Sequence, residues 1–206
     1  MKVSVASVNQ KIRIVSVLRR SSRSNLPRAS AGKRGESNFV LAFGRVYLKR
    51  FGHFNRQTSF FPAREVQVTG FGIADFVWFA WRPTPRSHEG SAVEFRAPRK
   101  VKAESLLAFE MKLNDWRKAL GQAYRYRYFA DAAYVVLPPQ AVAIAKQHLN
   151  VFQKLGVGLW SFDKHTEIIR RIYSPRRGTP LSLKARERAV ATLTRFVKVP
   201  RVPGKV

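Results

Sequence analysis

The sequence has no cysteine, and its acidic residues are few. The lack of cysteine excludes a disulfide framework, a thiol nucleophile and a cysteine-ligated zinc site. Long apolar runs are also missing, and without a run of about 18 apolar residues we expect no membrane-spanning helix. Lys and Arg number 39 against 12 Asp and Glu, a formal net charge of +27. This excess exceeds what solubility requires, and it predicts a polyanionic partner, most simply nucleic acid rather than a membrane surface.

The basic residues are distributed over three parts of the chain. Residues 1–35 hold nine Lys or Arg and no acid, which predicts a flexible basic arm. Because this arm is rich in Arg and Ser, it also resembles an organellar transit peptide, although we expect a cytoplasmic, intracellular protein. Residues 36–173 are predicted to form one domain, and residues 174–206 a basic C-terminal extension. The middle part is itself basic, so the charge does not come from the two ends alone.

Hydrophobic periodicity predicts a single α/β domain with a mixed central sheet flanked by helices. The basic segment 82–102 is rich in Pro and Arg and is predicted to be a long loop, either a positive flap or a solvated insertion. The predicted helices cover 37–51, 115–130, 141–155 and 182–197; two strands lie within 57–81 around a glycine turn, and further strands at 106–109, 132–137, 157–162 and 168–173.

The stretch 106–138 carries the residues that packing alone explains least. Side chains alternate along a strand, so Glu110 and Lys112 share one face and Met111 takes the other. On the helix that follows, Gln122 and Tyr126 are four residues apart and therefore neighbours. An acid and an amine at a strand end, followed by such a pair, indicate a site.

A third acid, Asp75, lies in the apolar run 73–81. A carboxylate there costs several kcal/mol unless it is paired, protonated or bound to a cation. Alone, it is equally well explained as a structural Asp bonded to backbone amides; together with Glu110 and Lys112, a cation site is favoured. Glu36 is predicted to cap the N-terminus of helix 37–51 rather than to act in catalysis. Glu36 and Glu65 remain candidates for further cation ligands.

The ordered set of motifs resembles the PD-(D/E)xK nuclease superfamily over about residues 36–162. Asp75 corresponds to its first acid, with Ala74 where the motif has proline, and Glu110-Met111-Lys112 corresponds to its E-x-K. Gln122 and Tyr126 correspond to the Q-x3-Y signature of RecB-like members. The gap between Asp75 and Glu110 is long and contains segment 82–102. The resemblance implies a restriction-endonuclease-like fold with an αβββαβ core.

The resemblance also implies a Mg²⁺-dependent nuclease that hydrolyses phosphodiester bonds of DNA, with Mn²⁺ as an alternative ion. Asp75, Glu110 and the main-chain carbonyl of Met111 would bind the ion, and Lys112 would orient water or contact the phosphate. Gln122 and Tyr126 would bond to the substrate backbone or to the surroundings of the lysine. Many members of the superfamily are dimers, so a homodimer is compatible with this prediction.

The predicted helix 115–130 carries four cations, Arg117, Lys118, Arg125 and Arg127, among aromatic residues. Such cations release counterions on binding phosphates, so we predict that all four contact nucleic acid. Two other interpretations remain open: a non-catalytic nucleic-acid-binding protein on the same fold, and a ribosome- or RNA-associated protein. The four histidines show no spacing typical of metal ligands.

Overall fold

The computed structural model describes residues 31–51, 59–81 and 103–196. These residues form a six-stranded mixed sheet with helices on both faces, which confirms the predicted α/β class. Residues 1–30 of the predicted arm 1–35, the whole predicted loop 82–102 and the last residues, 197–206, lie outside the described residues. The strands are β1 (Ser59–Val68), β2 (Gly72–Trp81), β3 (Ala103–Met111), β4 (Ala132–Leu137), β5 (Val157–Asp163) and β6 (Ile168–Tyr173). The helices are α1 (Ala31–Phe51), α2 (Trp116–Tyr126), α3 (Pro139–Lys146), α4 (Leu149–Leu155) and α5 (Leu183–Phe196).

The strands lie in the sheet in the same order as in the sequence. Pairs β1–β2, β2–β3 and β5–β6 are antiparallel, whereas β3–β4 and β4–β5 are parallel. The parallel pairs are joined by helices, as crossover connections require. Strand β4 is buried along its whole length, which explains why its sequence is a continuous apolar run rather than an alternating one.

Helix α1 covers one face of the sheet with aromatic rings. The helix keeps its apolar residues on one stripe, and the most deeply placed of them, Phe43, has no exposed surface. Its ring lies within 5.7 Å of the rings of two sheet residues on neighbouring strands, Phe76 and Phe109. This packing fixes the position of α1 along the sheet.

Helices α2 to α5 cover the opposite face. Helix α5 buries Ala185, Ala189 and Leu193, so the helical part of the segment predicted as an extension packs on the same core. Arg186 of this helix pairs with Asp131 at 2.7 Å, and the same carboxylate accepts a hydrogen bond from the backbone N–H of Leu106 at 2.6 Å. The pair ties α5 to the start of β4 and to β3.

Three predicted helices have other bounds in the structure, and the first of them, 115–130, is the shorter helix Trp116–Tyr126. The single helix 141–155 is two helices, α3 and α4, with a turn at Gln147 and His148, where the His148 ring stacks on Trp116 at 4.9 Å. Helix α1 begins at Ala31, six residues before the predicted start at Ser37. Glu36 therefore lies in the second turn of α1, and the prediction that it caps the N-terminus is wrong.

Within residues 31–51, 59–81 and 103–196, every helix is too short or too polar to cross a lipid bilayer.

Candidate active site

The predicted acids of β2 and β3 lie side by side at one end of the sheet. The antiparallel register pairs Phe76 with Phe109, and its next step brings Asp75 beside Glu110. Instead of continuing the backbone ladder, Asp75 accepts a hydrogen bond through Oδ2 from the N–H of Met111 at 2.8 Å. The side chain thus replaces a backbone partner at the end of β3, and both readings of Asp75, structural acceptor and cation ligand, are compatible with its place.

Lys112 extends its ammonium group into the middle of these oxygens. Its Nζ lies 2.9 Å from Glu110 Oε1 and 4.0 Å from Asp75 Oδ2. It also donates a hydrogen bond to the main-chain carbonyl of Met111 at 3.2 Å. A third acid, Glu36, places Oε2 3.7 Å from the same nitrogen. The sequence alone does not show that the second turn of α1 lies over the end of β3 and brings Glu36 to this site.

Tyr126 of α2 holds the second oxygen of Glu110. Its hydroxyl oxygen lies 2.5 Å from Glu110 Oε2 and 2.5 Å from the main-chain carbonyl of Ile73. Because a phenol has one hydrogen, it donates to one of these acceptors at a time. Tyr126 is thus a partner of the acid and not an exposed contact for substrate, since its side chain is 1% exposed.

Gln122 lies one helical turn before Tyr126. Its Oε1 is buried and has no hydrogen-bond partner within the part of the chain that the structure describes. Buried polar atoms normally find a partner, so this oxygen is an exception within the described residues. The predicted pair is therefore divided between two roles, with Tyr126 bonded to Glu110 and Gln122 unpaired.

Burial raises the pKa of both acids. Desolvation, with the charge of Glu110 added, raises the pKa of Asp75 to about 7, against the smaller opposing effect of Lys112. The pKa of Glu110, 1% exposed, is raised for the same reason, although Lys112 and the Tyr126 hydrogen bond act to lower it. Burial alone would lower the pKa of Lys112, but the charges of Glu110 and Asp75 raise it. The lysine is therefore a cation at neutral pH.

The raised pKa of Asp75 predicts a pH-dependent stability. An acid whose pKa rises on folding binds its proton more tightly in the folded state, so the free energy of unfolding falls as pH increases from about 4 to 7. We expect Asp75→Asn to remove part of this fall, measured by urea denaturation between pH 5 and 8 in a chelator. The exposed Glu187→Gln on α5 is the matched control and should keep the slope of the parent protein. An unchanged slope in Asp75→Asn would contradict the assignment.

The oxygen donors around Lys112 suit a small hard cation. Mg²⁺ is bound in proteins by one or two carboxylates and keeps several waters, and Asp75, Glu110 and the carbonyl of Met111 supply such a set. Among residues 31–51, 59–81 and 103–196, no group of three or more His, Asp or Glu side chains has the geometry of a metal site. The donor set therefore fits an ion held largely by water, with the ammonium of Lys112 displaced from its present contacts.

The four predicted nucleic-acid contacts separate into two kinds. Arg117, Lys118 and Arg125 are exposed on α2, and the Arg117 guanidinium lies over the Trp116 ring at 4.6 Å from its centre. Arg127 is half-buried and donates a hydrogen bond to the carbonyl of Leu155 at 2.6 Å. Its guanidinium thus stabilises the end of α4, a structural role that spacing along the helix does not indicate.

The pairing of β2 is also interrupted at Asp75 on the side of β1. The β1–β2 register passes from Arg64 opposite Phe76 to Val66 opposite Ala74, without a pair between Glu65 and Asp75. Glu65 has a φ of 52°, in the left-handed region that non-glycine residues seldom adopt. Glu65 is a sequence-predicted candidate for a further cation ligand, and the structure places its carboxylate 3.7 Å from Arg64.

Comparison with protein-family models, with curated proteins and with solved structures finds no match for this chain. The resemblance to the PD-(D/E)xK superfamily thus rests on the motif residues themselves and stays a prediction.

Proposed function

We propose that this protein is a divalent-metal-dependent nuclease that hydrolyses DNA phosphodiester bonds on a restriction-endonuclease-like fold. One observation carries the proposal: Asp75, Glu110, the Met111 carbonyl and Lys112 converge at one strand end of a chain with a net charge of +27. Perturbed acids beside an ammonium group are common at functional sites. The basic chain supplies the attraction for a polyanionic substrate.

Each side chain has a task that its position allows. Mg²⁺ or Mn²⁺, when bound between Asp75 and Glu110, would supply Lewis acidity and make water more acidic. Lys112 places a positive charge where a phosphate gains negative charge during hydrolysis, which is the electrostatic stabilisation that such a reaction needs. Tyr126 holds one oxygen of Glu110, so the other remains directed toward Lys112.

The unpaired oxygen of Gln122 completes this arrangement on the side of α2. It can accept a hydrogen bond from a water enclosed beside the site. Arg117, Lys118 and Arg125, exposed on the same helix, would contact phosphates flanking the cleaved bond.

A second candidate function is a non-catalytic nucleic-acid-binding protein, which the position of Lys112 favours. Its ammonium group lies within 4.0 Å of Glu110, Asp75 and Glu36, so one internal cation offsets part of their charge without any metal ion. In that case the three acids and the lysine form a buried ion-pair network with a structural role.

A plasmid nicking assay separates the two functions. We expect the protein to convert supercoiled plasmid to nicked or linear forms with Mg²⁺ or Mn²⁺ and to leave it intact in a chelator. Calorimetric titration of Mn²⁺ into the protein without nucleic acid should show saturable binding. Competition between duplex DNA and RNA of equal length would then identify the preferred substrate.

Salt-dependent DNA binding without nicking in either ion, and without saturable Mn²⁺ binding, would reject the nuclease and support the binding protein. Preference for RNA in the competition would reject DNA as the substrate while leaving the metal site to be judged by the titration.

A further inference from the structure

Three arginines surround the end of α1 that is remote from the candidate active site. Arg50 belongs to the last turn of α1, Arg171 to the edge strand β6, and Arg177 to the segment after it; all three are exposed. Arg50 donates to the carbonyl of Ile169 at 3.1 Å, which joins α1 to β6. We name this group the distal arginine cluster.

Arg171 and Arg177 both act on one buried tyrosine, Tyr134. Burial raises the pKa of Tyr134, while the charges of Arg177 and Arg171 both act to lower it. Both guanidinium groups are therefore within electrostatic reach of one hydroxyl. Sequence analysis placed the nucleic-acid contacts on the helix that follows β3 and did not indicate this cluster, because its members are far apart in the chain.

A separate contact fixes each guanidinium group. Arg171 lies over two rings, 4.7 Å from the centre of Phe51 and 4.9 Å from that of Trp160. Arg177 donates to the hydroxyl of Ser105 at 3.3 Å. Side chains held in this way lose less conformational freedom on binding an anion, and a stacked guanidinium keeps its in-plane N–H donors available.

Carboxylates do not neutralise the cluster within the described ranges 31–51, 59–81 and 103–196. The ion pairs found there join other cations: Arg64, Lys112 and Arg186. Exposed arginines are usually surrounded by acids of a mixed surface, so three fixed and unpaired guanidinium groups form a site suited to phosphates.

The length of helix α1 gives the distance between the distal arginine cluster and the candidate active site. Glu36 touches Lys112 near one end of the helix and Arg50 lies near the other. The 15 residue steps from Glu36 to Phe51 span about 22 Å at 1.5 Å per residue. This length equals about six to seven base pairs of duplex at roughly 3.4 Å each.

We propose that the distal arginine cluster is a second phosphate-binding surface that holds the nucleic-acid duplex about six to seven base pairs from the active site. The inference rests on the proposed function for the identity of the polyanion. It adds a second place where the backbone is bound away from the acids, and it accounts for three arginines that pair with no carboxylate among the described residues.

The test is DNA binding in a chelator, so that it does not depend on cleavage. The variant Arg171→Gln/Arg177→Gln should bind a duplex of about 20 base pairs roughly tenfold or more weakly at 0.1 M salt, with the slope of log K against log salt smaller by about 1 to 2. The charge-matched control Lys146→Gln/Lys154→Gln replaces exposed lysines of α3 and α4 on the opposite face and should bind as the parent protein does.

Two further arms guard against a folding artefact and identify the geometry. Arg177→Gln alone, which loses one hydrogen bond to Ser105, should show about half of the change in slope with an unaltered thermal midpoint. The gain in affinity on lengthening a hairpin duplex from about 5 to about 15 base pairs should shrink in the double variant, because the longer duplex spans α1.

The proposal would be overturned if the arginine double variant and the lysine control weakened DNA binding equally. It would also be overturned if the arginine double variant lost binding to anionic vesicles while it bound DNA as the parent protein does. Failure of the parent protein to bind DNA would instead reject the nucleic-acid partner itself. Weakened binding in the arginine variant of a protein that proves unable to nick plasmid would support the cluster and reject only the nuclease.

Discussion

Glu110→Gln is expected to abolish metal-dependent nicking and to leave the fold intact. The side chain supplies one of two carboxylates at the proposed ion site, and a neutral amide cannot replace its charge. Groups that only orient metal ligands cost about 10- to 100-fold when they are removed, so loss of a ligand should reduce the nicking rate by more than about 100-fold. Quantified plasmid nicking with Mg²⁺ measures the effect.

The free energy of unfolding of this variant should equal that of the parent protein to within about 1 kcal/mol, or exceed it. Burial raises the pKa of Glu110, which means that its charged form is costly in the folded state, and glutamine has a similar shape without the charge. Lys112 keeps two acids within 4.0 Å, Asp75 and Glu36, so its own charge is not left unpaired.

The exposed Glu187→Gln is the control and should nick at the rate of the parent protein. Full activity in Glu110→Gln would remove this acid from the site. Loss of activity together with a loss of several kcal/mol of stability would mean that the residue acts through the fold.

Phe43→Ala is expected to destabilise the protein by about 3–5 kcal/mol, the range for truncating a buried aromatic ring. The ring has no exposed surface, and four aromatic rings on α1 and the sheet lie around it. These rings are Tyr47, Phe76, Phe109 and Phe162. For a chain of this size the thermal midpoint should fall by on the order of 10 °C, measured by circular dichroism or calorimetry.

The control is Ile144→Ala on α3, whose side chain is 56% exposed and should change stability by less than about 0.5 kcal/mol. Helix α1 positions Glu36 beside Lys112 and Arg50 beside β6. The Phe43 variant should therefore weaken both of these contacts at once. A small loss of stability, equal to that of the control, would mean that α1 is not held by its aromatic stripe.

Strand β4 shows what the sequence predicts well. Its apolar run ends at Pro138, and the observed strand Ala132–Leu137 has the predicted bounds, as does the edge strand Ile168–Tyr173. Both are short runs with clear limits. The break between α3 and α4 could not be predicted in the same way, because the sequence there contains neither proline nor glycine and the ring of Trp116, far away in the chain, stacks on His148.

The candidate site likewise has features that local sequence spacing predicts and features that depend on tertiary packing. Alternation along β3 placed Glu110 and Lys112 on one face, and the structure brings them to 2.9 Å. The neighbourhood of Glu36 and the clamp formed by Arg127 depend on how helices lie over the sheet. That arrangement is set by packing between distant residues, so local spacing carries little information about it.

The left-handed backbone at Glu65 lowers the stability of the fold, while the side chain at this position supplies a negative charge. A non-glycine residue with this φ costs about 1–2 kcal/mol, which glycine would not incur. Glycine, however, would remove a carboxylate that lies 3.7 Å from Arg64. A substitution that relaxes the chain at this rung therefore also makes the local potential more positive, and no glycine replacement there can change one without the other.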